Sequence, residues 1–435
     1  MQSKDSKLKV YGLTQDTATN KYILIFDFER HLTNGECVNC NRYNTSPAWC
    51  QTCDSQKTIQ GWTSGSEDVD DCIKKFQLKA TEYTDVIEWI PFNRLDNVRK
   101  IGKRGFGSVF SATWLDGKRI ASGGSKSRTP SYIVALKTLP GLQKNFLREF
   151  KNYAEFRLVG SNLEVYGLTQ NTTNNEYLMV LQYANKGSLH KFLSSNFRKL
   201  NWKNKLKQLV DISRNLSIVH KAKYVHGDLH SGNILQHQCV NNGNLKSYIA
   251  DLGLSRKNDE SNLEDSIYGV LPYVAPEVLN QRPYTIAADI YSFGIIMTEM
   301  STGRPPHYDI EYNEALAIQI CNGLRPGFAK GTPECYIQLA NKCMDDNPSN
   351  RPNAFYIYNK LSKWYKVVNR NASKDKNELA IFKAFQSADT IIPTLSAELP
   401  TCPKDKLTSK LLNFKNLSQT IGEYLDLLYL VFNNR

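Results

Sequence analysis

Five side chains stand out by type and order. Lys137 ends the apolar run VALK, and Glu149 follows in FLREFKNY. Asp228 and Asn233 share the segment HGDLHSGNIL, and Asp251 opens DLG. A lysine, three acids and an amide in this order suit transfer of a phosphoryl group. That chemistry needs a cation against phosphate oxygens, oxygen ligands for Mg²⁺ and a carboxylate to take a hydroxyl proton. Upstream, IGKRGFGSVF places Gly102, Gly105 and Gly107 between two strand-like runs, where the missing Cβ lets backbone close over phosphates. Such a loop is weak evidence alone, but five ordered pieces make chance a poor account.

A second constellation lies near the N-terminus. Cys37-Val-Asn-Cys40 and Cys50-Gln-Thr-Cys53 are two CxxC knuckles nine residues apart. Four thiolates satisfy tetrahedral Zn²⁺. So short a segment has no apolar core, and structural zinc would supply its folding energy. Redox-active or unligated thiols are the competing reading. The segment is similar to the small single-zinc fingers of nucleoporins and of ubiquitin- or RNA-binding proteins, a likeness to which Asn44 and Trp49 add. Nucleic acid or ubiquitin binding would rest on that likeness alone, and no residue pattern in the segment identifies what it binds. His31 reads as a surface residue, and the other six cysteines as scattered thiols.

These groups need elements to position them. From Asn97 the chain alternates short strand-like runs, and from Gly187 it turns mainly helical. Ser64 with Glu67 makes a capping-box pattern, and Val69, Ile73 and Phe76 share one face of a predicted helix over 65–80. LKVYGLTQDTATNKYILIFDF from Leu8 aligns without a gap to LEVYGLTQNTTNNEYLMVLQY from Leu163, ten of twenty-one residues being identical. Each copy reads as a strand, a polar turn and a strand, and a lone hairpin of this kind needs a surface to lie on. After Trp364 come a polar, Lys-rich stretch and an extended segment through Pro393, Pro400 and Pro403. Leu407, Leu411, Phe414, Leu417, Ile421, Leu425, Leu428 and Phe432 then recur at helical spacing, which predicts an amphipathic helix docked on its own domain.

In this order the motifs resemble a eukaryotic protein kinase domain. GVLPYVAPEVL and ADIYSFGIIMTEM resemble the tyrosine-kinase-like group, particularly its expanded fungal families. The resemblance implies an α+β, two-lobed fold, with a small β-rich N-lobe and a larger helical C-lobe over 97–364. A partial duplicate of an N-lobe hairpin (1–30), the zinc-binding module (31–60) and a helical linker (61–96) would precede it, and a tail (365–435) would follow. It implies ATP and Mg²⁺ as cofactors and protein substrates, with serine/threonine ahead of tyrosine as acceptor. Lys137 would hold the α- and β-phosphates, fixed by Glu149, with Asn233 and Asp251 on Mg²⁺ and Asp228 as proton acceptor. Adenine would lie between Val109 and Ala135 above and Leu235 below, beside the gatekeeper Leu181. Gln182 to Ala184 would form the hinge, with Ser188 near the ribose. Asp289 resembles the anchor of the catalytic loop, Glu277 and Arg351 a buried ion pair, and His226 a packing residue.

The pattern also departs from the family. Arg104 replaces a glycine, Gly227 replaces the arginine before the catalytic aspartate, and Val270 stands where a threonine is usual. His230 occupies the place of the lysine of serine/threonine kinases, which puts it in the catalytic set. A pseudokinase adaptor with an inert nucleotide pocket is the alternative function, and RNA binding a weaker one.

The chain has 435 residues, a net charge of +13, 41% hydrophobic and 22% charged residues. These values exclude a disordered or collagen-like chain. The positive charge favours phosphates, RNA or anionic surfaces without choosing among them. No apolar run approaches signal-peptide or membrane-span length, so the expectation is an intracellular, cytoplasmic protein without a membrane partner.

Overall fold

A computed structural model describes residues 10–16, 21–26, 34–104, 107–122, 124–139, 147–158, 160, 163–239, 243–257, 267–370, 375–395 and 408–412. The chain divides into two compact units, Met1–Asp96 with Thr113–Tyr132 and Asn97–Ala112 with Ile133–Arg435.

The first unit opens with β1 (Val10–Asp16) and β2 (Lys21–Phe26), paired antiparallel. Helix α1 (Gln51–Thr58), helix α2 (Glu67–Lys79) and the short β3 (Glu88–Trp89) follow. Helix α2 buries Val69, Ile73 and Phe76, the face its spacing predicts. Its start differs from the predicted capping box. The Ser64 backbone N–H and hydroxyl and the Thr63 hydroxyl all donate to Asp70, tying down the chain ahead of the helix. Burial alone would raise the Asp70 pKa, but these donors outweigh it and hold it low.

Strands β4 (Leu95–Arg104) and β5 (Gly107–Trp114) lie mostly in the second unit. The hairpin of β6 (Arg119–Ser122) and β7 (Ser125–Arg128) belongs to the first, and β8 (Tyr132–Thr138) returns to the second. After α3 (Arg148–Leu158), β9 (Val165–Gln170) and β10 (Tyr177–Gln182) complete a sheet in the order β9-β10-β8-β5-β4. The two sequence copies fold in the same register. Val10 faces Phe26 as Val165 faces Leu181, Gly12 faces Ile25 as Gly167 faces Val180, and both hairpins are irregular at that step. Their surroundings differ: Leu168 is fully buried, whereas Leu13, its counterpart, is 63% exposed.

The helical part contains α4 (Leu189–Asn196), α5 (Trp202–Lys221), the two-residue β11 (Tyr224–Val225), the pair β12 (Ile234–Gln238) and β13 (Leu245–Ile249), β14 (Arg256–Lys257) and β15 (Ile267–Gly269). Helices α6 (Pro276–Leu279), α7 (Ile286–Thr302), α8 (Glu314–Cys321), α9 (Glu334–Cys343) and α10 (Ala354–Arg370) surround the core. Every residue of α7 from Ala288 to Ser301 is buried. It stops at Gly303, whose φ of 71° a side chain would strain and whose Cβ would collide with Phe197.

The tail corrects two expectations. The stretch read as polar and then extended contains α11 (Lys376–Ile391), capped by the Asp375 side chain, which accepts from the N–H groups of Asn377 and Glu378. Its Phe385 is fully buried beside Trp202 and Trp364. The predicted terminal helix also differs where it is described. Lys410–Leu412 form strand β16, paired antiparallel with β15, because a partner edge satisfies the backbone there. Phe414 to Phe432 lie outside the described residues. Among the described helices none is long and apolar enough to cross a membrane.

Candidate functional site

In the second unit, Lys137 sits on β8 opposite Met179 of β10, so the sheet fixes its direction. Its Nζ lies 2.6 Å from Glu149 Oε1, on the first turn of α3, and 2.6 Å from Asp251 Oδ1. Burial pushes the Lys137 ammonium down, but the two carboxylates outweigh it and raise its pKa. Burial in turn lifts Glu149 to about 7, against the opposing charge of Lys137. Asp251 has a φ of 67°, a conformation a non-glycine residue keeps only when its surroundings impose it. Its N–H donates to Tyr153 Oη at 2.7 Å, and the Asn152 amide donates to the carbonyls of Leu252 and Ser255.

The loop before β12 is held from α7. The Asp289 carboxylate accepts the N–H groups of His226 at 2.7 Å and Gly227 at 3.0 Å and a third bond from His220 Nε2 at 2.9 Å. Gly227 takes a φ of 78°, which a glycine meets without strain. His226 is fully buried. Its Nδ1 accepts from the Asp228 N–H, so its Nε2 donates to the Ala250 carbonyl at 3.2 Å. Asn233 Nδ2 donates to both Asp228 O and Oδ2 at 3.0 Å, which leaves its amide oxygen as the atom to offer a metal. Burial works to raise the Asp228 pKa, but His230 and a hydroxyl from Ser409 more than offset it and hold the carboxylate low. His230 Nε2 is 3.1 Å from that hydroxyl. Nothing in the sequence reading pointed to Ser409, since its place depends on how the distant tail folds back.

A cavity of about 300 Å³ opens beside Lys137. Gly102, Val109, Ala135, Leu181, Gln182, Ala184, Ser188 and Leu235 line it, as do His230, Asn233 and Asp251. Apolar walls with an ammonium, a carboxylate and an amide oxygen together suit a nucleotide and Mg²⁺. Gly107 does not line the cavity. It starts β5 against Thr138, where a Cβ would stand 2.7 Å from the Thr138 carbonyl. Gly105 lies outside the described residues. Below the site, Arg351 holds both Glu277 oxygens, at 2.7 and 2.8 Å.

In the first unit the sulfurs of Cys37, Cys40, Cys50 and Cys53 all lie within 4.8 Å of one another, with Cys40 and Cys50 3.7 Å apart. Zn–S bonds of about 2.3 Å at tetrahedral angles put sulfurs ~3.8 Å apart, so the cluster could bind zinc. The Asn39 N–H brings the Cys37 thiol down to about 7, while the hydrogen bond to Cys40 pushes the Cys53 thiol up to about 12. The β6–β7 hairpin of the same unit meets this module. Lys126 is 2.8 Å from Asp54 and lies over the rings of Trp49 and Tyr83, and both Arg119 and Arg128 bind Glu88. The basic residues of this hairpin, in KRIASGGSKSR, are visible in the sequence, but their acidic and aromatic partners appear only in the fold.

A family model of protein tyrosine and serine/threonine kinases matches residues 95–361. The chain is 30% identical over 289 residues to a probable serine/threonine-protein kinase, drkB, of Dictyostelium discoideum, a match covering 64% of this chain and 38% of that one. A second Dictyostelium discoideum protein, the probable serine/threonine-protein kinase drkA, is 31% identical over 58% of this chain and 37% of its own. The serine/threonine-protein kinase STY17 of Arabidopsis thaliana is 27% identical over 75% of this chain and 54% of its own. The chain thus matches little over half the length of these relatives at most. With the family match running from β4 into α10, across most of the chain, the protein belongs to the protein tyrosine and serine/threonine kinase family.

Proposed function

We propose that the chain is an ATP- and Mg²⁺-dependent protein kinase that phosphorylates serine or threonine hydroxyls, within the tyrosine-kinase-like group. The observation that carries this reading is the Lys137 ammonium shared at 2.6 Å by Glu149 and Asp251, at one end of an apolar cavity. Lys137 grips the nucleotide phosphates, and Glu149 keeps it aimed. Asn233 and Asp251 would hold Mg²⁺, which when bound would supply charge neutralisation for the transferring phosphoryl group. Asp228, kept ionised, accepts the proton of the substrate hydroxyl, and His230 orients that hydroxyl. Val109, Ala135 and Leu235 enclose the adenine, Leu181 closes its back wall, and Gln182 to Ala184 form the hinge. The relatives are named as serine/threonine-protein kinases, and we extend this acceptor preference to the present chain. Nothing among the described residues favours an inert adaptor. The four cysteines hold a structural zinc.

The test is phosphoamino-acid analysis after incubation with Mg·ATP labelled at the γ-phosphate and a mixed acceptor protein. Label on phosphoserine or phosphothreonine is expected. Label confined to phosphotyrosine would overturn the acceptor preference, and its complete absence the kinase reading.

A further inference from the structure

The Asp228 carboxylate is bonded to a hydroxyl from the far end of the chain. Ser409 Oγ donates to Asp228 Oδ2 at 2.6 Å and lies 3.1 Å from His230 Nε2. The ring's other nitrogen settles the direction of the second bond. His230 Nδ1 accepts the Gly232 N–H at 3.1 Å, so Nε2 carries the proton and donates to Ser409. The serine oxygen therefore has its own proton turned toward a carboxylate base, the geometry a phosphoryl acceptor needs. Thr408 and Ser409 also line the cavity that contains Lys137 and Asp251.

The backbone beside Ser409 is held as a bound peptide would be. Gly269 pairs with Lys410, Tyr268 with Leu411 and Ile267 with Leu412. Strand addition to a sheet edge is a recurrent way of gripping an extended peptide, with alternate side chains giving specificity. Here Leu412 is buried in the core of the second unit, while Leu411 is 50% exposed. Gly269 permits the approach. Its φ is 149°, and a Cβ there would lie 3.0 Å from Val274 Cγ2 and 3.6 Å from Asp228 Oδ1.

We propose that Ser409 is an intramolecular phosphoacceptor, with residues 408–412 occupying the protein-substrate groove. Ser-Lys-Leu-Leu then describes the class of site the groove accepts: a serine followed by one basic and two apolar residues. The proposal rests on the kinase reading above. In the step, Ser409 Oγ attacks the γ-phosphorus of Mg·ATP and an Oγ–P bond forms. The bond from that phosphorus to the β,γ-bridging oxygen breaks, ADP leaves with its electron pair, and the hydroxyl proton passes to Asp228. A phosphate beside the ionised Asp228 is repelled, which favours departure of the tail and entry of other substrates.

The test uses the 435-residue chain, stripped of phosphate and incubated with Mg·ATP and casein at two protein concentrations tenfold apart. Mass spectrometry reads the sites. About one phosphate per chain is expected at Ser409, gained at the same fractional rate at both concentrations, and absent from Ser409→Ala. Labelled casein with unmodified Ser409 would overturn the proposal and leave the kinase reading standing. So would a Ser409 rate that falls tenfold on dilution, since transfer would then be between chains. If neither casein nor Ser409 gains phosphate, both readings fall.

Discussion

Lys205 shows how far a single residue can depart from what its type suggests. It lies wholly buried on α5, its Nζ has no hydrogen-bond partner among the described residues, and it sits 4.1 Å over Phe197 and 4.8 Å over Trp202. Burial pulls its pKa down to about 7, with Asp389 only partly opposing. An unfolded lysine keeps its proton to about 10.4, so between these values the unfolded state binds more protons and stability rises with pH. Lys205→Met should therefore stabilise the second unit by about 1–4 kcal/mol at pH 6.5, and by less at pH 9. Urea midpoints at the two pH values check this, and an equal gain at both would contradict it. No pattern in the sequence marks Lys205, because its burial follows from packing between α5 and its neighbours. Lys137, Asp228, Asn233 and Asp251 stood out in the sequence because phosphoryl transfer admits few residue types, and the fold brings Lys137 against Asp251 and Asn233 against Asp228. His230 was legible only as an anomaly, and its hydrogen bond to Ser409 needed the folded tail.

Among the elements, those with their own periodicity were legible and those that depend on a partner were not. The α2 face and the repeated hairpin could be read from spacing, and the two hairpins even share an irregular step. Helix α11 escaped notice although Asp375 with Glu378, and Phe385, Ala388 and Ile392 at helical spacing, announced it; the lysines around them masked the signal. Strand β16 was misread as helix because leucines spaced for a helix also fit an edge strand once β15 is there to receive it. The cysteine knuckles make a prediction at this scale. Trp49 is 1% exposed, and its indole N–H donates to the Ala80 carbonyl at 3.0 Å, so the module's fold and the cluster stand together. Metal analysis should find one zinc per chain, lost in Cys40→Ser, with tryptophan emission shifted to the red when a chelator removes it. A metal-free wild type with the same emission before and after chelation would contradict this.

At the scale of the whole molecule, the family match runs from β4 into α10 and leaves out the cysteine module and the tail, although the tail lends Thr408 and Ser409 to the cavity and Phe385 and Leu412 to the helical core. The β6–β7 hairpin joins the cysteine module in one compact unit, and in the other the tail returns Ser409 to Asp228. The net charge of +13 suits phosphorylated ligands but chooses none, so the activity has to be argued from the site. The central claim is that Asp228 acts on the proton of a hydroxyl while Lys137 and Asp251 manage the nucleotide. Asp228→Asn separates these roles, since the amide keeps the shape and loses the base. The measurement is the single-turnover rate of phosphate transfer alongside the Kd for Mg·ATP. Transfer should fall about 10²–10⁴-fold with nucleotide affinity unchanged within about threefold. Transfer at the wild-type rate in Asp228→Asn would contradict the account.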